Sequence, residues 1–279
     1  MREILAYIKI MRPLNLFQGA IAIIVCATLM AQYPPWWRIL LGIVVVWAYT
    51  GAGNALNDFY DAEIDRINRP TRPIPAGLIR RENARLFAAI LFILGSLLAL
   101  PLMNPHLAGL LVIALLLLTT YSTVFKRRPL WGNIVVSAIL GLAFVFAAII
   151  FGDYRRGLPP ALLAFGFNLI REIVKDMQDI EGDRAVRART LPLKYGLSPA
   201  RNLVIAFTLL LAVLAPLPYV MGIYGKFYLL VLITAVEFPL LYVIYSIRKD
   251  HSPVNCGHLA SVLKADIFFG LLAIFVGKF

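Results

Sequence analysis

The chain has 279 residues, 61% of them hydrophobic and 15% charged, with a net charge of +12 and a mean hydropathy of +0.80. A soluble domain of this size cannot hide that much apolar surface, so the composition excludes a soluble globule and predicts an integral membrane protein. The basic surplus does not predict a nucleic-acid partner, because its distribution follows membrane topology.

A spanning helix needs about 20 apolar residues. The apolar runs predict nine spans, at 14–32, 37–57, 84–103, 107–124, 131–152, 159–175, 200–220, 226–247 and 257–276. With a cytoplasmic N-terminus, 22 Lys and Arg fall on the cytoplasmic side and 5 outside. This positive-inside bias sets the orientation. The expected fold is all-α: a polytopic, multi-pass cell-membrane protein, a single domain over 1–279, with about nine helices bundled around a central cavity open to the cytoplasmic side. No cleavable leader is expected. Cys26 and Cys256 lie in the first and last spans and predict no disulfide, and His106, His251 and His258 share no metal-ligand spacing.

Residues 1–12 read as a short amphipathic lead-in carrying Arg2, Lys9 and Arg12. Arg12, just before Pro13, is either an interfacial anchor or a phosphate ligand at a cavity mouth. Trp36 and Trp37 mark the outer interface. The second span is apolar to Thr50 and then changes to GAGNALNDFYDAEID. Gly51 and Gly53 allow close helix approach. Asn54, Asn57, Asp61 and Asp65 share one helical face, whereas Asp58 lies about 100° away. Lipid cannot satisfy such a stripe, so it must face a cavity or another helix.

Pro70, Pro73 and Pro75 end that helix and stiffen the next loop. Arg66, Arg69 and Arg72 follow the acids directly. Arginine's planar fork suits phosphate, although positive-inside bias alone also places arginines here. Spans three and four are plain. The fourth ends in YSTVFKRRPLWGN, which puts Tyr121, Ser122, Lys126, Arg127 and Arg128 on the cytoplasmic side. The sixth span ends in NLIREIVKDMQDIEGDR, where Asn168, Glu172, Asp176, Asp179 and Asp183 form a second stripe. Arg171 and Lys175 flank it as partners for the acids, and Arg187 and Arg189 follow. In span eight Glu237 sits near mid-membrane beside Pro239, as a functional carboxylate or a neutral packing group. Lys264 and Asp266, two apart, do not face each other.

Asp58–Arg66 and Asp176–Arg184 both read D-x-x-D-x-E-x-D-R, and their neighbourhoods hold nine of the 15 acidic residues. An even number of spans separates them, so they lie on one membrane face and can converge. Mg2+ takes oxygen ligands and shares its coordination with substrate phosphates. Twin acidic clusters, each trailed by arginines, therefore suit a diphosphate, and apolar helices around them suit a long hydrocarbon tail. Metal and Arg/Lys would neutralise a departing diphosphate. An allylic group left behind would be a resonance-stabilised cation, which needs a nucleophile and a dry cavity.

The runs NALNDFYDAEIDRINRPTRPIPAG, KDMQDIEGDR and TLPLKYG, with Arg12-Pro13 and the YS-to-KR stretch, resemble the UbiA superfamily of intramembrane prenyltransferases. The resemblance covers nearly the whole chain and is nearest in detail to the ether-lipid branch. It implies that N-x-x-x-D-x-x-x-D maps onto Asn57, Asp61 and Asp65, and D-x-x-x-D onto Asp179 and Asp183. Asp176 and Asp58 would be additional acids, and together these bind Mg2+. Asp61, Asp65, Asp179 and Asp183 would be catalytic. Arg12, Asn57, Arg69, Arg72, Tyr121, Lys126, Arg127 and Arg187 would contact substrate. The implied reaction moves a geranylgeranyl group from its diphosphate to the hydroxyl of geranylgeranylglyceryl phosphate. Its partners are a prenyl diphosphate, a lipid-like acceptor and membrane lipids, with no nucleic acid and no protein partner implied. Tyr60, Tyr121 and the released diphosphate are all candidate bases.

Three other readings compete. A member of the same superfamily could use a quinone precursor or a tetrapyrrole as acceptor, since the metal motifs read only the diphosphate. A cation transporter could use repeated acidic helices, but such repeats are often inverted with midplane sites. A lipid-head-group phosphotransferase would need a D-G-x-x-A-R motif that this chain lacks.

Overall fold

A computed structural model describes residues 2–126, 128–185 and 188–278. Arg127 and Arg187 lie outside the described residues. Among the described residues every regular element is helical.

Helix α1 (Arg2–Ile10) meets α2 (Pro13–Leu29) at a bend of 52°. The hinge is Arg12, with a left-handed backbone at φ 57°. Proline at 13 disfavours the helical conformation in the residue before it, and Arg12 is held in a sparsely populated region instead. Helix α3 (Trp36–Asn68) is 33 residues long. At 1.5 Å per residue it runs roughly 50 Å, well beyond a hydrocarbon core of about 30 Å. Its last turns, which carry the first acidic motif, therefore reach past the membrane boundary.

A loop of turns leads to α4 (Arg81–Leu98), a short 3-10 turn, and α5 (Pro105–Thr120), whose start is capped by the Asn104 side chain. Helix α5 runs into a π turn over Tyr121–Phe125. Helices α6 (Trp131–Phe151) and α7 (Tyr154–Gln178) form a close hairpin. A Cβ on Gly141 of α6 would come within 3.0 Å of the Ala161 carbonyl oxygen, so the crossing requires glycine there. The short α8 (Ile180–Ala185) and α9 (Leu191–Tyr195) follow, then α10 (Leu197–Leu214) and α11 (Leu217–Val220). Helix α12 (Lys226–Val231) passes through a second π turn into α13 (Glu237–Lys249), and α14 (Pro253–Val276) closes the bundle. The second π turn (Leu232–Val236) ends three residues before Pro239, which lacks the N–H a regular helix would need.

Among the described residues, seven helices are long and apolar enough to cross a membrane, or eight if the bent α1–α2 pair is one span. The predicted third span is α4, which opens on Arg81, Glu82 and Arg85. Its apolar stretch begins only at Leu86, too short for a full crossing by itself.

Three apolar clusters hold the bundle together. One joins α7, α10 and α12 to α14, one joins α2, α3, α5 and α6, and one packs α1 and α4 on α3. A cavity of about 960 Å3 is walled by α3, α5, α6 and α7, with Val45, Leu110, Leu111 and Phe146 of the second cluster in its lining.

Candidate active site

The cavity wall is built from both acidic motifs. From α3 come Asn54, Asn57, Asp61 and Asp65; from the α7 end and α8 come Glu172, Asp176, Asp179 and Asp183. The two helix ends meet, as their shared membrane face predicts. Arg12, Arg69, Arg72, Tyr121 and Lys126 also line the cavity. Tyr60 does not; it is exposed on the far side of α3.

The first motif is heavily neutralised. Arg72 donates to Asp65 at 2.5 Å and to Asp58 at 3.2 Å. Arg12 donates to the same Asp58 oxygen at 2.7 Å, so the strained hinge delivers a guanidinium to α3. Lys126 pairs with Asp61, and Asn57 donates to Asp61 at 2.9 Å. The π turn after α5 makes this possible: it lets the Ser122 hydroxyl donate to the Asn57 side-chain amide oxygen at 3.3 Å and carries Lys126 over the carboxylate. π turns often occur at functional sites. Lys9 donates to the Thr71 carbonyl oxygen at 2.9 Å, tying the Arg72 loop to α1.

Asp58 belongs to a different environment. It is 3% exposed, does not line the cavity, and its carboxylate is taken by Arg12 and Arg72. Its 100° offset on α3 is the reason.

The second motif is arranged otherwise. Asn133 on α6 donates to Asp176 at 2.9 Å, and Ser137 and Asn168 extend that buried polar chain. Asp179 ends α7 and is exposed. Asp183, one turn on in α8, has its carboxyl pushed above the ordinary carboxylate range, chiefly by burial. Thr190 opposes that shift, the Asp179 charge adds to it, and Lys126 and Lys175 oppose it. Lys126 thus acts on both motifs. Among the described residues, none of Asp176, Asp179 and Asp183 has an ion-pair partner.

Among the described residues no three His, Cys, Asp or Glu side chains stand close enough to cage a metal. Mg2+ does not need such a cage, since it commonly takes one or two carboxylates plus substrate phosphates and water. The donor set here is all oxygen, which fits a hard cation.

Asn133 and Arg128 line the cavity and were not among the predicted ligands. Asn133 had a legible signal, a lone amide at the start of an otherwise apolar helix. Arg128 read as topology charge.

An all-helical membrane bundle with a polar, charge-lined cavity at one end defines a polytopic membrane enzyme. The model of the UbiA prenyltransferase family matches residues 20–256, and the chain belongs to that family. It is a prenyl-transferring enzyme of the membrane. It is 42% identical to the digeranylgeranylglyceryl phosphate synthase of Methanothermobacter thermautotrophicus over 82% of this chain and 81% of that protein. It is 36% identical to the synthase of the same name from Methanopyrus kandleri, over 96% and 97%. A solved structure giving structural and mechanistic insights into digeranylgeranylglyceryl phosphate synthase in membranes superposes with a TM-score of 0.83 at 30% identity, covering 100% of this chain and 99% of that one. A UbiA homolog from Archaeoglobus fulgidus, bound to GPP and Mg2+, shares the fold with a TM-score of 0.68 at 17% identity, over 96% and 99%.

Proposed function

We propose that this protein transfers a geranylgeranyl group from its diphosphate to the free hydroxyl of geranylgeranylglyceryl phosphate, in a Mg2+-dependent step of ether-lipid synthesis. The observation that carries the reading is that both acidic motifs and four cationic side chains, Arg12, Arg69, Arg72 and Lys126, line one cavity. The identity to synthases of that activity supports the acceptor.

Asn57, Asp61, Asp65, Asp176, Asp179 and Asp183 would hold the metal. When bound, Mg2+ supplies positive charge against the departing diphosphate. Arg72, Lys126 and Arg12 would turn from their carboxylates to diphosphate oxygens, which would leave Asp61 and Asp65 free to hold the metal, and Arg69 lines the same wall. Before substrate binds, Asp58 holds Arg12 and Arg72 beside the cavity, which makes it a positioning residue. The allylic carbon–oxygen bond breaks, with its electron pair leaving on diphosphate. The acceptor hydroxyl oxygen then bonds to the allylic carbon, and its proton passes to the released diphosphate. The apolar wall of Val45, Val46, Leu110, Leu111 and Phe146 excludes water from the cation.

In this reading the cavity mouth is on the cytoplasmic side, which the Lys and Arg surplus of the loops around the two acidic motifs supports. The direct test is the mass of the product formed by purified protein, Mg2+ and labelled geranylgeranyl diphosphate with a panel of acceptors. The expected product is digeranylgeranylglyceryl phosphate. Product from an aromatic acceptor alone would overturn the reading.

A further inference from the structure

The acceptor in the proposed reaction carries its own phosphate, and the first-motif cations are committed to the diphosphate. A different cationic pair lines the cavity on α7. Arg171 donates to Glu172 at 3.0 Å, and Lys175 donates to both Glu172 oxygens at 3.3 Å. Two cations thus share one carboxylate. All three residues line the cavity. The Arg171 side chain is 21% exposed, and its Nε is buried with no hydrogen-bond partner among the described residues. An interior arginine with an unused donor is expensive in a membrane helix and marks a site by default.

Resting on the reaction proposed above, we infer that Arg171 and Lys175 form the subsite for the acceptor's phosphate and so select a phosphorylated acceptor. Placed four apart, they share one face of α7. Lys175 and Arg171 lie four and eight residues before Asp179, roughly 6 and 12 Å along the helix axis at 1.5 Å per residue. A phosphate held there leaves a short glycerol unit to reach the prenyl diphosphate at the Asp179 end. Its oxygens replace Glu172 on the guanidinium fork, and the free Nε supplies the second of two parallel donors. Glu172 holds the pair in place until the acceptor arrives. An aromatic or phosphate-free acceptor has nothing to offer this pair.

The experiment compares kcat/KM for geranylgeranylglyceryl phosphate with that for geranylgeranylglycerol, which lacks the phosphate. Both are measured on the same preparation, so a loss of folded protein cancels in the ratio. The wild-type protein is expected to prefer the phosphorylated acceptor. Arg171→Ala should shrink that preference by roughly ten- to a hundred-fold, as loss of a charged hydrogen-bond pair implies. Lys175→Ala should shrink it less, and the KM for geranylgeranyl diphosphate should not rise with either change. An unchanged acceptor ratio in both variants would overturn the subsite. So would a loss expressed only in the diphosphate KM. A wild-type protein that makes no product from either acceptor would instead remove the reaction reading itself.

Discussion

In the first acidic motif each carboxylate is already met by a positive side chain: Asp58 by Arg12 and Arg72, Asp65 by Arg72, and Asp61 by Lys126. In the second, spelled with the same spacing, and among the described residues, Asp176 is met only by a neutral amide, and Asp179 and Asp183 have no ion pair. Identical spacing therefore does not mean identical roles. The first half stores the cations that will grip the diphosphate, with the acids as their temporary partners. The second half is a net negative surface, and it has the greater need of a divalent ion. Sequence spacing places acids on a helix face, but the neighbours brought in by α1, the arginine loop and the π turn decide their charge balance.

Predictions on this contrast run from large to small. Asp61→Asn and Asp183→Asn should each reduce transfer on the order of a thousand-fold, about 4 kcal/mol of transition-state stabilisation. Rates from protein inserted normally in membranes check this, and full activity in either variant would break the pairing of the two halves. Chelation of divalent ions should stop transfer, and added Mg2+ should restore it; turnover that survives chelation would contradict the metal.

Asp58→Asn and Asp179→Asn should separate the motifs most sharply. Asp58 is a buried ion-pair partner, and removing one member of such a pair costs about 3–5 kcal/mol. Thermal unfolding should show that loss for Asp58→Asn, while Asp179→Asn, at an exposed position, should shift stability by under about 1 kcal/mol. In a Mg2+ titration of activity the order should reverse, with Asp179→Asn the weaker binder. Equal behaviour in both assays would remove the distinction. One further effect lies outside the cavity. Both Asp266 oxygens are buried with no partner among the described residues, so Asp266→Leu should stabilise by about 1–3 kcal/mol in thermal unfolding.

Much of this was legible beforehand. The period of Asn57, Asp61 and Asp65 put them on one face, and Asp58 off it, by helix geometry alone. The matched spacing of the two motifs suggested two halves of one site, and residues of both line one cavity. Gly51 and Gly53 read as close-approach residues, and a Cβ on Gly53 would indeed come within 2.6 Å of the Leu118 side chain. Lys264 and Asp266 do not face each other, as their spacing predicts: Lys264 is exposed and Asp266 buried. The partners were not legible. Arg12 reaches Asp58 across 46 residues, and Lys126 reaches Asp61 across 65. No local periodicity encodes such distances. The π turn after Thr120 was equally silent, because a one-residue change in helical winding leaves the apolar pattern intact. Arg171 and Lys175 read as neutralisers of nearby acids, which is half of what they do. Their orphaned donor is visible only with side chains in place.

The central claim is that one metal–diphosphate unit bridges two helix ends. Binding of a non-hydrolysable geranylgeranyl thiodiphosphate, measured with and without Mg2+ in the wild-type, Asp61→Asn and Asp183→Asn proteins, tests it directly. Mg2+ should strengthen binding in the wild-type protein, and that gain should vanish in both variants. A full Mg2+ gain retained by either variant would show that its motif works alone, and would contradict the account.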